Sequence, residues 1–82
     1  MYNITTPIGI LGGGSFGTAL ANLIAEQYKV YIYMRKAESI SNINEKRKHR
    51  DQEIHPNITA TNDIALIAKS CTVIFPVLTN SC

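Results

Sequence analysis

Short apolar runs alternate along the chain with stretches whose apolar positions recur at helical spacing. Ile8 to Leu11, Lys29 to Met34, Ile58 to Thr61 and Cys71 to Val77 read as strands. Between the first two, Phe16, Ala19, Leu20, Leu23 and Ile24 fall at i, i+3, i+4, i+7 and i+8, which predicts a helix from Ser15 to about Gln27 with those residues along one face. A weaker helical pattern runs from Ala37 to Lys48, and a short one from Asp63 to Lys69 with Asn62 as its N-cap. Lys48 to Pro56 is polar and predicts an irregular connection. The resulting order is β-α-β-α-β-α-β. That alternation implies an α/β fold, with parallel strands joined by right-handed helical crossovers and a sheet covered on both faces. No internal repeat, low-complexity tract or linker divides residues 1–82, which read as one unit.

The first strand runs directly into Gly12-Gly13-Gly14-Ser15-Phe16-Gly17, and the first helix begins inside that run. Strand, glycine turn and helix in this order form the G-x-G-x-x-G dinucleotide fingerprint. Gly12 makes the tight turn, Gly14 lets the backbone approach a pyrophosphate, and Gly17 lets helix and strand pack closely. The first N–H groups of the helix and the positive end of its dipole face the turn, which suits phosphate. Ser15 adds a hydroxyl donor. Phe16 has two readings, as a cover for the cofactor or as a core residue packed on the sheet. A flexible glycine turn is the plainer reading of the run, but it requires neither the third glycine nor the helix that starts there.

The end of the second strand, Tyr33-Met34-Arg35-Lys36, bears on cofactor choice. An acidic residue there would hold the ribose 2′-hydroxyl of NAD, whereas arginine pairs with a 2′-phosphate through two parallel hydrogen bonds. Arg35, with Lys36 as a second cation, points to NADP or to tolerance of NAD as well. The plainer reading makes them solvent-facing charges at a strand end.

Composition narrows the remaining classes. The chain has 82 residues, 45% of them apolar, and a formal charge of +2. No run reaches the roughly 18–20 apolar residues of a membrane span, and a signal-peptide layout is absent. A cytoplasmic protein is expected, with no membrane partner. Cys71 lies in an apolar run and reads as a buried thiol; Cys82 stands alone, so neither a disulfide framework nor a metal site is indicated. His49 and His55 lack the second ligand pair a metal site would need. Lys46-Arg47-Lys48-His49-Arg50 is basic, but Glu45, Asp51 and Glu53 flank it and no aromatic platform interleaves it. It reads as a solvated helix end and not as a nucleic-acid surface.

The string Ile8-Gly9-Ile10-Leu11-Gly12-Gly13-Gly14-Ser15-Phe16-Gly17-Thr18-Ala19-Leu20-Ala21 resembles the N-terminal part of bacterial NAD(P)-dependent glycerol-3-phosphate dehydrogenases. Tyr33-Met34-Arg35, Ile43-Asn44-Glu45-Lys46-Arg47 and Pro56-Asn57-Ile58-Thr59-Ala60-Thr61-Asn62-Asp63 extend the resemblance along essentially the whole chain. The specific part is the G-[GA]-G-S-[FW]-G-T-A-L-A string, which other Rossmann reductases lack. The resemblance implies a Rossmann-like sheet, cofactor contacts at Ser15, Phe16 and Arg35, and a family reaction that interconverts dihydroxyacetone phosphate and sn-glycerol 3-phosphate for phospholipid synthesis.

That family is several times longer, and its catalytic lysine and helical substrate domain would lie beyond Cys82. The chain thus reads as a truncated first half of a dinucleotide-binding domain, with no catalytic residue assigned. It departs from the family pattern at Gln27-Tyr28-Lys29, at Lys48 to His55, where the Tyr-Leu-Pro element is missing, and at Phe75-Pro76-Val77-Leu78-Thr79-Asn80. The fourth strand is expected to expose an unpaired edge open to another chain. The alternative is a non-catalytic nucleotide-binding or interaction module left by gene truncation.

Overall fold

Four short strands rich in Ile, Val, Thr and Tyr build the sheet, because β-branched and aromatic side chains suit a pleated surface. The computed structural model describes residues 6–12, 14–49 and 51–77. In chain order its elements are β1 (Ile8–Leu11), α1 (Ser15–Ala25), β2 (Val30–Tyr33), α2 (Ala37–Ser41), a π-helical turn (Asn42–Lys46), β3 (Lys48–His49), β4 (Gln52–Glu53), β5 (Ile58–Thr61), α3 (Ile64–Ser70) and β6 (Val73–Pro76). The main sheet runs β5-β2-β1-β6, all parallel. The chain steps outward from β1 through β2 to β5, and α3 then carries it back to β6 on the other side of β1. The reversal leaves a topological switch between β1 and β6. In open α/β sheets the crevice outside the strands' carboxyl ends at such a point is where ligands bind.

The core gathers Ile10, Val30, Ile32, Ile58 and Ala60 of the sheet with Ala21 and Ala25 of α1, Ile43 and Ile54. The face of α1 that meets the sheet is only partly the apolar one, through Leu20 and Ile24, which pack against the core. Gly17, Thr18, Ala21 and Ala25 are buried, whereas Phe16 and Leu23 are each 66% exposed and Ala19 is exposed as well. Small residues let the helix approach closely, and Phe16 and Leu23 are turned aside. Beneath α3, Gly9 plays a similar part: a Cβ there would meet Ile67 Cγ2 at 2.8 Å and Cys71 Sγ at 3.3 Å. Cys71 is buried as expected, and burial pushes its thiol pKa up.

Other boundaries also differ from the sequence reading. The second helix is α-helical only to Ser41, passes through a π turn and stops at Arg47, whose φ of 57° is left-handed. Lys48 to Pro56 is not irregular throughout, since β3 and β4 form an antiparallel ribbon. Asp63 and not Asn62 caps α3, its carboxylate accepting from the N–H groups of Ala65 and Leu66 at 3.0 and 3.2 Å. A residue that caps must precede the first helical residue directly, and Ile64 is that residue. Arg50, Leu78, Thr79, Asn80 and Cys82, noted in the sequence, lie outside the described residues.

Both edges of the sheet are visible among the described residues, and they differ. On the outer side of β5, the Asn44 amide pairs with Ala60 as a strand would: Nδ2 donates to the Ala60 carbonyl at 2.9 Å and Oδ1 accepts its N–H at 2.8 Å. On the other side β6 has β1 as its one neighbour, with Ile74 and Phe75 exposed. Pro76, which cannot donate, is its last residue, a position an edge strand tolerates. Asn44→Ala should leave the buried Ala60 N–H and carbonyl unpaired and lower stability by about 1–3 kcal/mol in urea unfolding.

Candidate dinucleotide-binding site

The turn after β1 is shaped by two absent side chains. Gly12 has φ of +124°, a region L side chains rarely adopt, and a Cβ there would lie 2.5 Å from the Val77 carbonyl oxygen. A Cβ on Gly17 would overlap the Gly12 carbonyl oxygen. The first turn of α1 therefore sits directly on the glycine turn, with Val77 against its other side at the β1–β6 switch. Gly14 is the N-cap residue, extended at φ −72° and ψ −177°, and no side chain caps the helix. Gly13 lies outside the described residues.

The open helix start has the chemistry of an anion site. Thr18 makes the first intrahelical bond, its N–H donating to the Gly14 carbonyl at 2.9 Å. The N–H groups of Ser15, Phe16 and Gly17 come before it and have no partner inside the helix. No acidic residue lies in the first turn to compete for them. Thr18 is 1% exposed, and its hydroxyl also donates to the Gly14 carbonyl, at 3.0 Å, fixing the turn to the helix. Ser15 is exposed and free to turn toward a ligand. The high exposure of Phe16 removes its reading as a core residue.

Arg35 and Lys36 follow β2 at the same edge of the sheet. Leu11 pairs with Tyr33 in register, so the residues after β1 and those after β2 leave the sheet side by side. Both cations are exposed; Lys36 is also the N-cap residue of α2, and its carbonyl accepts the Ile40 N–H at 3.1 Å. One position further along this edge, a shallow cavity opens between Ala37 and Ser41 of α2, Asn44, and Thr61 and Asn62 after β5. Sequence reasoning had not marked it, because its lining comes from three separate segments.

The basic segment lies elsewhere and is partly structural. Arg47 turns inward and donates from Nη1 to the carbonyls of His55, at 3.4 Å, and Ile58, at 2.5 Å. Lys46 and Lys48 are exposed beside the acidic Asp51 and Glu53. Among the described residues no group of three His, Cys, Asp or Glu could hold a metal ion, and no helix is long and apolar enough to cross a membrane.

Parallel sheet, glycine turn and open helix start at the switch point define a Rossmann-like α/β arrangement. Comparison with known proteins narrows the class. Residues 7–82 match the family model described as NAD-dependent glycerol-3-phosphate dehydrogenase N-terminus, and the chain belongs to that family. It is 40% identical to the glycerol-3-phosphate dehydrogenase [NAD(P)+] of Azotobacter vinelandii and 38% identical to that of Pseudomonas paraeruginosa, over 92% of this chain in each case. Its fold is similar to the crystal structure of glycerol-3-phosphate dehydrogenase from Coxiella burnetii, with a TM-score of 0.74 and 26% identity over 90% of this chain. The chain spans 24% of the length of each of these three proteins.

Gly17→Ala tests the close approach on which the turn depends. Alanine would gain about 1 kcal/mol of helix propensity, but its methyl meets a backbone oxygen that cannot rotate away. A net loss of about 1–3 kcal/mol in thermal or urea unfolding is expected.

Proposed function

We propose that this chain is the cofactor-holding segment of an NAD(P)-dependent glycerol-3-phosphate dehydrogenase. The observation that carries the reading is the glycine turn between β1 and α1, closed tightly enough to exclude a Cβ at Gly12 and at Gly17. Gly12, Gly13, Gly14, Ser15, Phe16 and Gly17 would cradle the pyrophosphate, with the helix N–H groups as donors. Arg35 and Lys36, leaving β2 beside the turn, suit the 2′-phosphate of NADP, and their flexibility leaves room for NAD. The cavity next to α2 lies along the direction in which the adenosine end would extend. A bound nicotinamide would donate hydride to the carbonyl of dihydroxyacetone phosphate in the reducing direction and would take it back from sn-glycerol 3-phosphate in the other. Substrate binding and proton handling fall to the remainder of the family's length, and no catalytic residue is assigned within residues 1–82.

A second reading, an interaction module, draws on the exposed Ile74 and Phe75 of β6. Unpaired strand edges with apolar side chains pair readily with other chains. A concentration-dependent dimer that leaves nucleotide affinity absent would favour that reading over the first.

Two substitutions test the cofactor assignment by fluorescence titration with NADPH and NADH. Gly14→Val places a branched side chain where the backbone must approach phosphate, and should abolish binding of both. Arg35→Asp should weaken NADPH more than NADH, by about 1–3 kcal/mol for a lost charge-assisted pair. Equal losses for the two cofactors would remove Arg35 from 2′-phosphate recognition.

A further inference from the structure

The β3–β4 ribbon is fastened along α1 by polar side chains. Asn22 holds it twice, Nδ2 donating to the Glu53 carbonyl at 2.8 Å and Oδ1 accepting the His55 N–H at 2.9 Å. One β4 residue earlier, Gln52 Nε2 reaches back and donates to the Ser15 carbonyl at 3.1 Å. That carbonyl belongs to the peptide whose N–H is carried by Phe16, one of the three donors at the helix start that have no partner inside the helix. In a trans peptide the C=O and N–H point in opposite directions, so Gln52 sits behind a donor that faces the glycine turn. A hydrogen bond accepted at the carbonyl also polarises the N–H of the same peptide, because bonded amides strengthen one another along a chain.

We infer that Gln52 is a positioning residue of the dinucleotide site, with the β3–β4 ribbon as the strap that delivers it. It fixes the orientation of the Ser15–Phe16 peptide and sharpens its N–H toward phosphate, without touching the ligand. The inference rests on the cofactor reading above. Its location explains a departure from the family pattern: the segment that lacks the Tyr-Leu-Pro element is anchored here by Asn22 and Gln52, which use backbone carbonyls and an N–H as partners.

The test compares Gln52→Met, similar in length but without a donor, with Asn57→Ala in the 82-residue chain. Asn57 Nδ2 ties the same connection to the far end of α1, at the Ala25 carbonyl, 2.9 Å away. Gln52→Met should shift the Ser15 carbonyl carbon and the Phe16 amide proton upfield in NMR spectra. It should also raise the Kd for NADPH by about three- to ten-fold. Asn57→Ala should lower the melting temperature yet hold Kd within about two-fold, because it acts at a distant, independent position. An unchanged Kd in Gln52→Met, or losses of affinity that track stability in both variants, would overturn the positioning role alone. Failure of the unmodified chain to bind NADPH would overturn the cofactor reading and this inference with it.

Discussion

The structure depends on one close approach, the first turn of α1 resting on the Gly12 carbonyl where Gly17 has no side chain. That contact sets the height of the helix above the sheet. At this height the small Ala21 and Ala25 are buried beneath it, Leu20 and Ile24 pack against the core, and Phe16 and Leu23 face outward. It also brings Thr18 over the turn, where both its N–H and its hydroxyl donate to the Gly14 carbonyl. The remaining N–H groups of the first turn have no partner inside the helix and lie at the glycine turn. Packing and phosphate chemistry are thus two consequences of one missing methyl group.

A second constraint operates at the periphery, where side chains of Asn, Gln and Arg complete backbone hydrogen bonding that short strands cannot. Asn44 occupies the edge of β5 as a strand would, Arg47 gathers the carbonyls of His55 and Ile58, and Asn22 and Gln52 hold the β3–β4 ribbon to α1. Backbone groups left unpaired in such places would cost more than the net gain of an average hydrogen bond. The described part of the connection is thus tied down although Ile54 is the one buried residue among those described in it. On the other side, no such guard covers β6 among the described residues, and Ile74 and Phe75 are exposed.

The main features were legible because they rest on local rules. The strands from Ile8, Ile58 and the second helical crossover follow from apolar runs and spacing, and the glycine turn followed from three glycines at the start of a helix. What was not legible depended on contacts between distant segments. Hydrophobic spacing grouped Phe16, Ala19, Leu20, Leu23 and Ile24 on one face, of which Leu20 and Ile24 pack against the core and the other three are exposed, because spacing does not weigh how closely Gly17 lets the helix approach. The polar run from Lys48 to Pro56 looked structureless, since its order comes from Asn22 and Gln52 reaching across sequence separations of 31 to 37 residues. The N-cap of α3 fell on Asp63 and not Asn62, a shift of one residue that only the helix start at Ile64 decides. The register that sets Arg35 beside the glycine turn was implied by the β-α-β order and is explicit in the pairing of Leu11 with Tyr33.

Hydrogen exchange of the 82-residue chain with and without NADPH tests the central claim most directly. The account predicts that the cofactor slows exchange of the Ser15, Phe16 and Gly17 amides, with weaker protection after β2 near Arg35. Protection confined to the basic segment around Lys46 and Lys48, or no protection at the helix start at saturating NADPH, would contradict it.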